Sequence, residues 1–178
     1  MTLSIATYHD TDAFEGLAGE WNDLLNRSLA NTVFLTLEFQ RVWWRYLGDG
    51  EPLVVTMRDG GELVGIAPLF VAENGEGERV VATIGCAEVA DYLDLIAAQG
   101  REQDVYAALV DYLTWPEASA WDVLSLCNIH QDSPTLTTLP RLAEAQGWTV
   151  SIANEDVCPV AQLPPTWDEY LLTLKKKH

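Results

Sequence analysis

Apolar side chains recur at helical spacing in five segments of the chain. Phe14, Leu17, Trp21 and Leu25, for example, share one face of a predicted helix that begins near Asp12. Capping residues and glycines mark the ends of the segments, since Ser, Thr and Asp favour the position before a helix and Gly the position after it. The predicted helices cover about 12–28, 36–47, 101–114, 133–146 and 166–174.

Between these helices the apolar pattern changes to that of extended strands. The dipeptide Asp59-Gly60 predicts a tight hairpin turn between two β-rich runs. Other short apolar runs are bounded by turn residues in the same way. The predicted strands cover 3–8, 52–57, 63–71, 79–84, 92–97, 121–126, 148–153 and 159–163.

The order of these elements predicts an α/β (α+β) fold. Consecutive hairpin strands followed by strand–helix–strand units imply a mixed central sheet flanked by helices. We assign residues 1–163 to this domain and residues 164–178 to an amphipathic helix with a basic end. The capping box from Thr166 to Glu169 marks the start of that helix.

Composition narrows the class of partner. The 178 residues include 27 acidic and 10 basic side chains, a net charge of −17. Such a chain repels phosphate backbones and anionic lipids, so we expect no nucleic-acid partner. The longest charge-free apolar run, 63–72, is too short for membrane insertion. There is no secretory pattern at residue 1, and a cytoplasmic location is expected.

The cysteines predict neither a disulfide framework nor a metal site. Cys86, Cys127 and Cys158 are odd in number and irregularly spaced, which is typical of reduced thiols in a cytosolic protein. Cys127 and His130 have a spacing that could supply two metal ligands, but no second pair lies nearby. We therefore expect no metal.

Six short stretches, taken in order, carry a family resemblance. They are Trp21 with Leu24-Leu25, Phe34 before Trp43-Trp44, the hairpin 59–69, Asp91-Tyr92-Leu93-Asp94, Asp132-Ser133-Pro134, and Trp167-Asp-Glu-Tyr170. Together they resemble the N-terminal half of a two-domain group with the GNAT acyl-CoA N-acyltransferase fold. That group contains the CelD-like proteins of cellulose biosynthesis and is related to the FemABX peptidyltransferases.

The resemblance implies a GNAT-like fold and a second GNAT-like domain as partner in a longer parent chain. Residues 164–178 would then be the start of the linker between the two domains. A link to cellulose or exopolysaccharide biosynthesis is implied only by the family. Trp44, adjacent to the core residue Trp43, would either face the partner domain or pack on the surface.

In the GNAT fold, a Gly-rich turn before the helix that follows the fourth strand holds the acyl-CoA pyrophosphate. Here that turn contains Gln99, Gly100 and Arg101, with one glycine where the family pattern has two. Glu102 and Asp104 already complement the positive end of the helix and would repel a pyrophosphate. We therefore expect no cofactor in this domain and little or no binding of acyl-CoA. Acyl-CoA, such as acetyl-CoA, would belong to the parent protein.

The cluster Asp91-Tyr92-Leu93-Asp94 is the remaining candidate site. In a strand, Asp91 would share one face with Leu93, and Tyr92 the other face with Asp94. Two carboxylates near a phenol could bind an amine or a sugar hydroxyl. The alternative interpretation is a solvated loop with Tyr92 packed on the sheet edge.

Three functions fit these observations. The first, which we favour, is a non-catalytic, substrate-side or scaffolding domain of an acyltransferase. The second is a divergent, self-sufficient N-acetyltransferase with Asp94 or Glu88 as base and Tyr92 as acid, and it lacks the pyrophosphate turn. The third is an acidic adaptor module that recruits a basic protein or a polyamine.

Overall fold

A mixed six-stranded sheet runs through the computed structural model, which describes residues 3–86, 89–115, 118, 120–154 and 157–174. Its strands are β1 (Ser4–Tyr8), β2 (Glu51–Asp59), β3 (Glu62–Glu73), β4 (Arg79–Thr83), β5 (Ile96–Ala97) and β6 (Val123–Ser125). The strand order is β1-β2-β3-β4-β6, and β5 also pairs with β3. Only the β4–β6 pair is parallel among these pairings. The mixed sheet confirms the predicted fold class.

Six helices flank the described sheet. They are α1 (Asp12–Gly16), α2 (Trp21–Asn26), α3 (Leu37–Leu47), α4 (Glu102–Thr114), α5 (Thr135–Ala145) and α6 (Trp167–Thr173). The predicted cap of α6 forms, since the Thr166 hydroxyl oxygen accepts a hydrogen bond from the Glu169 N–H. Thr36, near which the second helix was predicted to start, caps α3 in the same way through the Phe39 N–H. The predicted basic end, 175–178, lies outside the described residues.

One predicted helix, 12–28, is in fact two short helices. α1 ends at Gly16 and α2 begins at Trp21, with Gly19 between them. Glycine costs about 1 kcal/mol relative to alanine inside a helix, so a break here is favourable. The predicted apolar face nevertheless stays intact, because Phe14 and Trp21 are both buried.

Two predicted strands near the C-terminus are wrong. Residues 148–153 and 159–163 have no strand partner among the described residues and are mostly exposed. Their β-forming side chains therefore have no neighbouring strand to pack against, which is the context that β-propensity needs.

The strands β4 and β5 lie along the same edge of β3. Leu69 of β3 pairs with Thr83, and Ile66 pairs with Ile96. Between these pairings the chain leaves the sheet after Ile84 and returns to it at Ile96. The predicted strand 92–97 is accordingly reduced to β5, and the excursion opens a space at the sheet edge.

The segment after β6 holds this excursion in place. Asn128, in the left-handed region at φ 56°, donates from its side-chain amide to the Ala90 carbonyl at 2.6 Å. Its own carbonyl accepts from the Leu93 N–H at 3.0 Å. Leu93 also forms a parallel bridge with Ile129.

A disulfide joins the same two segments. Cys86 is bonded to Cys127, with Cα atoms 5.9 Å apart. The expectation of three reduced cysteines is therefore wrong, because the fold brings together two residues that are 41 positions apart. Cys158 keeps an exposed free thiol.

The described helices include none that could cross a membrane, since each is too short or too polar.

Candidate functional site

A cavity of about 520 Å³ lies beside β5 and the start of α4. Its wall is built from the loop after α2, the residues around β5, the first turns of α4, and the segment that leads into α5. Apolar side chains form much of this wall, and polar groups converge on one part of it. The polar lining residues include Tyr92, Asp94, Glu102, Tyr106, His130, Asp132 and Ser133.

Asp94 is the most enclosed acid of the site, with 7% of its surface exposed. The hydroxyls of Ser133 and Thr135 each donate to its carboxylate at 2.5 Å. The Leu95 N–H donates to the same carboxylate at 2.8 Å. The Tyr106 hydroxyl lies 3.0 Å from the Thr135 hydroxyl, and it extends the network towards α4.

Burial raises the pKa of Asp94 above its ordinary value of 3.8. The donors Ser133, Thr135 and Leu95, together with the nearby His130, act in the opposite direction but do not cancel the loss of solvation. Burial also raises the pKa of Tyr106, which keeps its phenol protonated. The cavity therefore holds a desolvated carboxyl group that is a stronger base than an exposed one.

The structure separates the members of the predicted Asp91–Asp94 cluster. Tyr92 and Asp94 both line the cavity, whereas Asp91 is exposed and does not. Residues 91–95 form no strand, so the predicted alternation of faces has no regular backbone to support it. Glu88, the other predicted base, lies outside the described residues.

Tyr92 lies at the edge of the cavity. Its ring contacts that of His130, with centroids 5.4 Å apart. A hydrogen bond with the Cys158 side chain raises the pKa of Tyr92, so its phenol stays protonated at neutral pH.

The predicted pyrophosphate turn, Gln99 to Arg101, lies directly before α4. Two of its N–H groups are already used, since Gln99 donates to the Arg27 carbonyl at 2.9 Å and Arg101 to the Ala98 carbonyl at 2.8 Å. Gly100 has φ +84°, a conformation that favours glycine. The turn therefore presents few free donors to an anion.

The Arg101 guanidinium is held by two acids. It lies 3.0 Å from Asp59, the last residue of β2, and 3.0 Å from Asp104, in the first turn of α4. The hydrogen bonds with Asp104 and Asp59 raise the pKa of Arg101 further. The one cation of the turn is thus neutralised by its neighbours.

Glu102 differs from the other acids of this region. It begins α4 and lines the cavity, and its Oε1 is buried with no hydrogen-bond partner among the described residues. Because an unpaired buried carboxylate oxygen costs free energy, this atom is suited to a donor supplied by a ligand.

Sequence reasoning missed Tyr106, Ser133 and Thr135 as members of the site. The sequence marked Ser133 as a helix start and as part of the family resemblance, and its Oγ does accept from the Thr135 N–H at 3.1 Å as a cap would. The same hydroxyl group donates a hydrogen bond to the Asp94 carboxylate. No spacing rule connects position 94 with position 133.

The cysteine–histidine pair does not form a metal site. Cys127 is committed to the disulfide with Cys86, and among the described residues no group of three or more His, Cys, Asp or Glu could hold a metal ion.

Comparison with known proteins identifies the fold. No family model and no curated protein matches this chain. A probable acetyltransferase of known structure is 14% identical with a TM-score of 0.53, covering 90% of this chain and 99% of its own. An aminoglycoside acetyltransferase from an uncultured soil metagenomic sample is 16% identical with a TM-score of 0.51, covering 90% and 100%.

A transcriptional regulator from Bacillus halodurans C-125 is as similar, at 14% identity and a TM-score of 0.51, covering 87% of this chain and 99% of its own. At such identities these likenesses show the GNAT acetyltransferase fold alone, because one fold carries several functions.

Proposed function

We propose, on the premise that the chain has the GNAT acetyltransferase fold, that it is the acceptor-binding domain of an acyltransferase and that its cavity takes an organic amine. The observation that carries the proposal is the charge of the cavity wall. Asp94, Glu102 and Asp132 line it, and no lysine or arginine does so among the described residues. A wall of this composition favours a cation over an anion.

Two of these acids are suited to an ammonium group for different reasons. Asp94 is desolvated, so a charge-assisted hydrogen bond to it is stronger than one in water. Glu102 has a buried oxygen that lacks a donor. An ammonium group carries three donors, which suits it to carboxylate oxygens of either kind.

The apolar part of the wall would hold the carbon body of the amine. Leu29, Leu35 and Leu95 line the cavity together with Ala97 and Pro134. Contact with these side chains removes apolar surface of the ligand from water, which adds affinity roughly in proportion to the area covered.

The residues of the turn before α4, Gln99 to Arg101, do not fit an acyl-CoA pyrophosphate. Arg101 is paired with Asp59 and Asp104, and the N–H groups of Gln99 and Arg101 are bonded within the protein. We therefore derive no transfer step through acyl-CoA in this domain. Within the proposal, the acyl donor is held by the second GNAT-like domain of a parent chain, while the link to cellulose biosynthesis stays a prediction.

One observation favours a second candidate function, that of a self-sufficient N-acetyltransferase. Tyr92 and Asp94, the acid and base of the self-sufficient transferase hypothesis, line the same cavity. Incubating the chain alone with acetyl-CoA and an amine, and measuring release of free thiol, tests it. Turnover by the chain alone would support this alternative and contradict the acceptor-binding role.

Calorimetric titration tests the amine proposal. The ligands are hexylamine, cyclohexylamine and tyramine, each compared with the neutral alcohol or phenol of the same shape and with cellobiose as a sugar. Asp94→Asn removes the buried charge, and Asp91→Asn removes an exposed acid three residues away as the matched control.

We expect amines to bind the wild-type chain and Asp91→Asn equally, and Asp94→Asn about tenfold or more weakly, since that variant loses a charge-assisted hydrogen bond. Equal affinity for amines and their neutral analogues, or equal loss in both variants, would contradict the proposal.

A further inference from the structure

One hydrogen-bonded network joins Asp94 to Tyr106, and both of these residues line the cavity. The Thr135 hydroxyl contacts both, since its oxygen lies 2.5 Å from Asp94 Oδ1 and 3.0 Å from Tyr106 Oη. On the other side of the carboxylate, Ser133 donates to Asp94 Oδ2. Thr135 and Tyr106 are each 2% exposed, so their contacts are shielded from bulk solvent.

The number of hydroxyl protons fixes the direction of these hydrogen bonds. With Asp94 ionised, as the amine proposal requires, its carboxylate only accepts, and the single Thr135 proton goes to it. The Thr135 oxygen is then the acceptor in its contact with Tyr106, and the phenol supplies the proton. The Ser133 proton is also directed at Asp94. The hydroxyl groups of this network therefore have no proton left for a ligand.

Tyr106 consequently offers an acceptor at the cavity wall. Its proton is directed at Thr135, which leaves the lone pairs of its oxygen for an incoming donor. Glu102 stands one helical turn earlier on α4, at the spacing that places two side chains next to each other. Burial raises the pKa of Tyr106, and the charges of Asp94 and Glu102 raise it further, because both carboxylates lie near the phenol. A donor on the phenol oxygen thus lies in the field of two acids.

We propose that Tyr106 is a specificity-determining residue of the cavity, where its phenol oxygen accepts a hydrogen bond from the head group of the ligand. This role rests on the proposed amine function and names the head group that the cavity selects. A primary ammonium carries three N–H donors, whereas a quaternary ammonium has the same charge and no donor. A network that offers only acceptors favours the primary ammonium, while a wall that acts through charge alone binds both. Thr135 is a positioning residue, since it takes the proton that would otherwise face the ligand.

Calorimetric titration with hexylamine and hexyltrimethylammonium tests the role of Tyr106. Tyr106→Phe removes the phenol oxygen and keeps the ring. Tyr112→Phe is the matched control, because Tyr112 is buried on the same helix and does not line the cavity. We expect the wild-type chain and the control to bind hexylamine about tenfold or more tightly than the quaternary ion. In Tyr106→Phe this preference should fall about fivefold or more, since a hydrogen bond to a charged donor is lost.

Variants of Thr135 provide a second test, which stays informative even if Tyr106→Phe does not fold. Thr135→Val removes the acceptor of the Tyr106 proton, so the preference for hexylamine should again fall about fivefold or more. Thr135→Ser keeps the hydroxyl group and should keep the preference. The ratio of the two affinities isolates the hydrogen bond, because a preference due only to the size of the head group would be the same in all these variants.

Two results would overturn the role of Tyr106 and leave the amine function standing. One is equal affinity of the wild-type chain for the two cations, with both bound more weakly by Asp94→Asn. The other is a preference for hexylamine that neither Tyr106→Phe nor Thr135→Val reduces. If hexylamine bound no more tightly than hexanol, the amine function itself would be wrong, and the role of Tyr106 with it.

Discussion

The Ser133 hydroxyl donates to the Asp94 carboxylate at 2.5 Å, across 39 residues of sequence. This bond joins the segment that leads into β5 to the segment that leads into α5, and both segments line the cavity. The buried charge of the site thus depends on a helix start that lies far away in the sequence. A substitution in either segment should therefore also change the structure of the other segment.

The raised pKa of Asp94 predicts a particular dependence of stability on pH. Because the folded chain holds this proton more tightly than the unfolded chain, ionisation favours unfolding. The contribution of Asp94 to the free energy of unfolding is therefore largest below its ordinary pKa of 3.8 and falls as pH rises towards the raised value. Urea denaturation from about pH 3 to 8 measures it.

Asp94→Asn isolates this effect. Subtracting the free energy of unfolding of the variant from that of the wild-type chain should give a difference that decreases with rising pH. The subtraction cancels the contributions of other carboxylates, including those whose pKa is lowered in the folded chain. One of these is Glu20, whose pKa is lowered by its hydrogen bond with Arg58. A difference that increases with pH would show that the donors to Asp94 outweigh its burial.

Neutralising the two acids that pair with Arg101 should raise the affinity of the turn before α4 for anions. In Asp59→Asn/Asp104→Asn, Arg101 loses both of its partners. We expect coenzyme A to bind this double variant about tenfold more tightly than the wild-type chain, since one cation is freed and two like charges are removed. Isothermal titration at low ionic strength provides the measurement.

The control for that experiment has the same net charge. Asp23→Asn/Asp49→Asn removes two acids that form no salt bridge with a described residue. If both double variants gained the same affinity for coenzyme A, the overall charge of the chain, and not the pairing of Arg101, would be what excludes the anion.

Gly65 controls the approach of α4 to the sheet. A Cβ atom at this position would lie 2.7 Å from Val105 Cγ1 and 2.8 Å from its Cγ2. Since both methyl groups are buried, Gly65→Ala should lower the free energy of unfolding by about 1–3 kcal/mol. Thermal and urea denaturation measure the change.

Gly75→Ala is the comparison, because nothing lies within 4 Å of a Cβ there. Its effect should stay within about 0.5 kcal/mol. Equal effects at the two positions would show that α4 does not press on β3 as described.

Trp21 fixes the loop that forms one wall of the cavity. Its buried indole N–H donates to the Leu35 carbonyl at 2.8 Å, and Leu35 lines the cavity. Trp21→Phe removes this donor and leaves a space, so the free energy of unfolding should fall by about 2–4 kcal/mol. The exposed Trp115 offers a control, and Trp115→Phe should cost less than about 1 kcal/mol. Similar losses in the two variants would contradict the role given to Trp21.

Local signals predicted most of the fold. The Asp59-Gly60 turn, the Thr166 cap and the apolar face of α4 each depend on residues close in sequence, and each is present in the structure. The two C-terminal strands failed because a strand needs a neighbour, and the sequence pattern does not say whether one is available.

Less of the candidate site than of the fold could be predicted from the sequence. Asp94 and Tyr92 could be identified as candidates because acids and phenols near a predicted strand are chemically conspicuous. Tyr106 and Thr135 could not, since they meet only when α4 and α5 pack together. The disulfide between Cys86 and Cys127 depends in the same way on a distant contact.

The central claim is that the cavity at Asp94 takes an amine while the turn at Gly100 does not hold a nucleotide. A crystal structure of the chain grown with both tyramine and coenzyme A tests it most directly. We predict an ammonium nitrogen within hydrogen-bonding distance of Asp94 or Glu102, and no diphosphate at the turn. A diphosphate bound to the N–H groups around Gly100, with the cavity containing only solvent, would contradict the account.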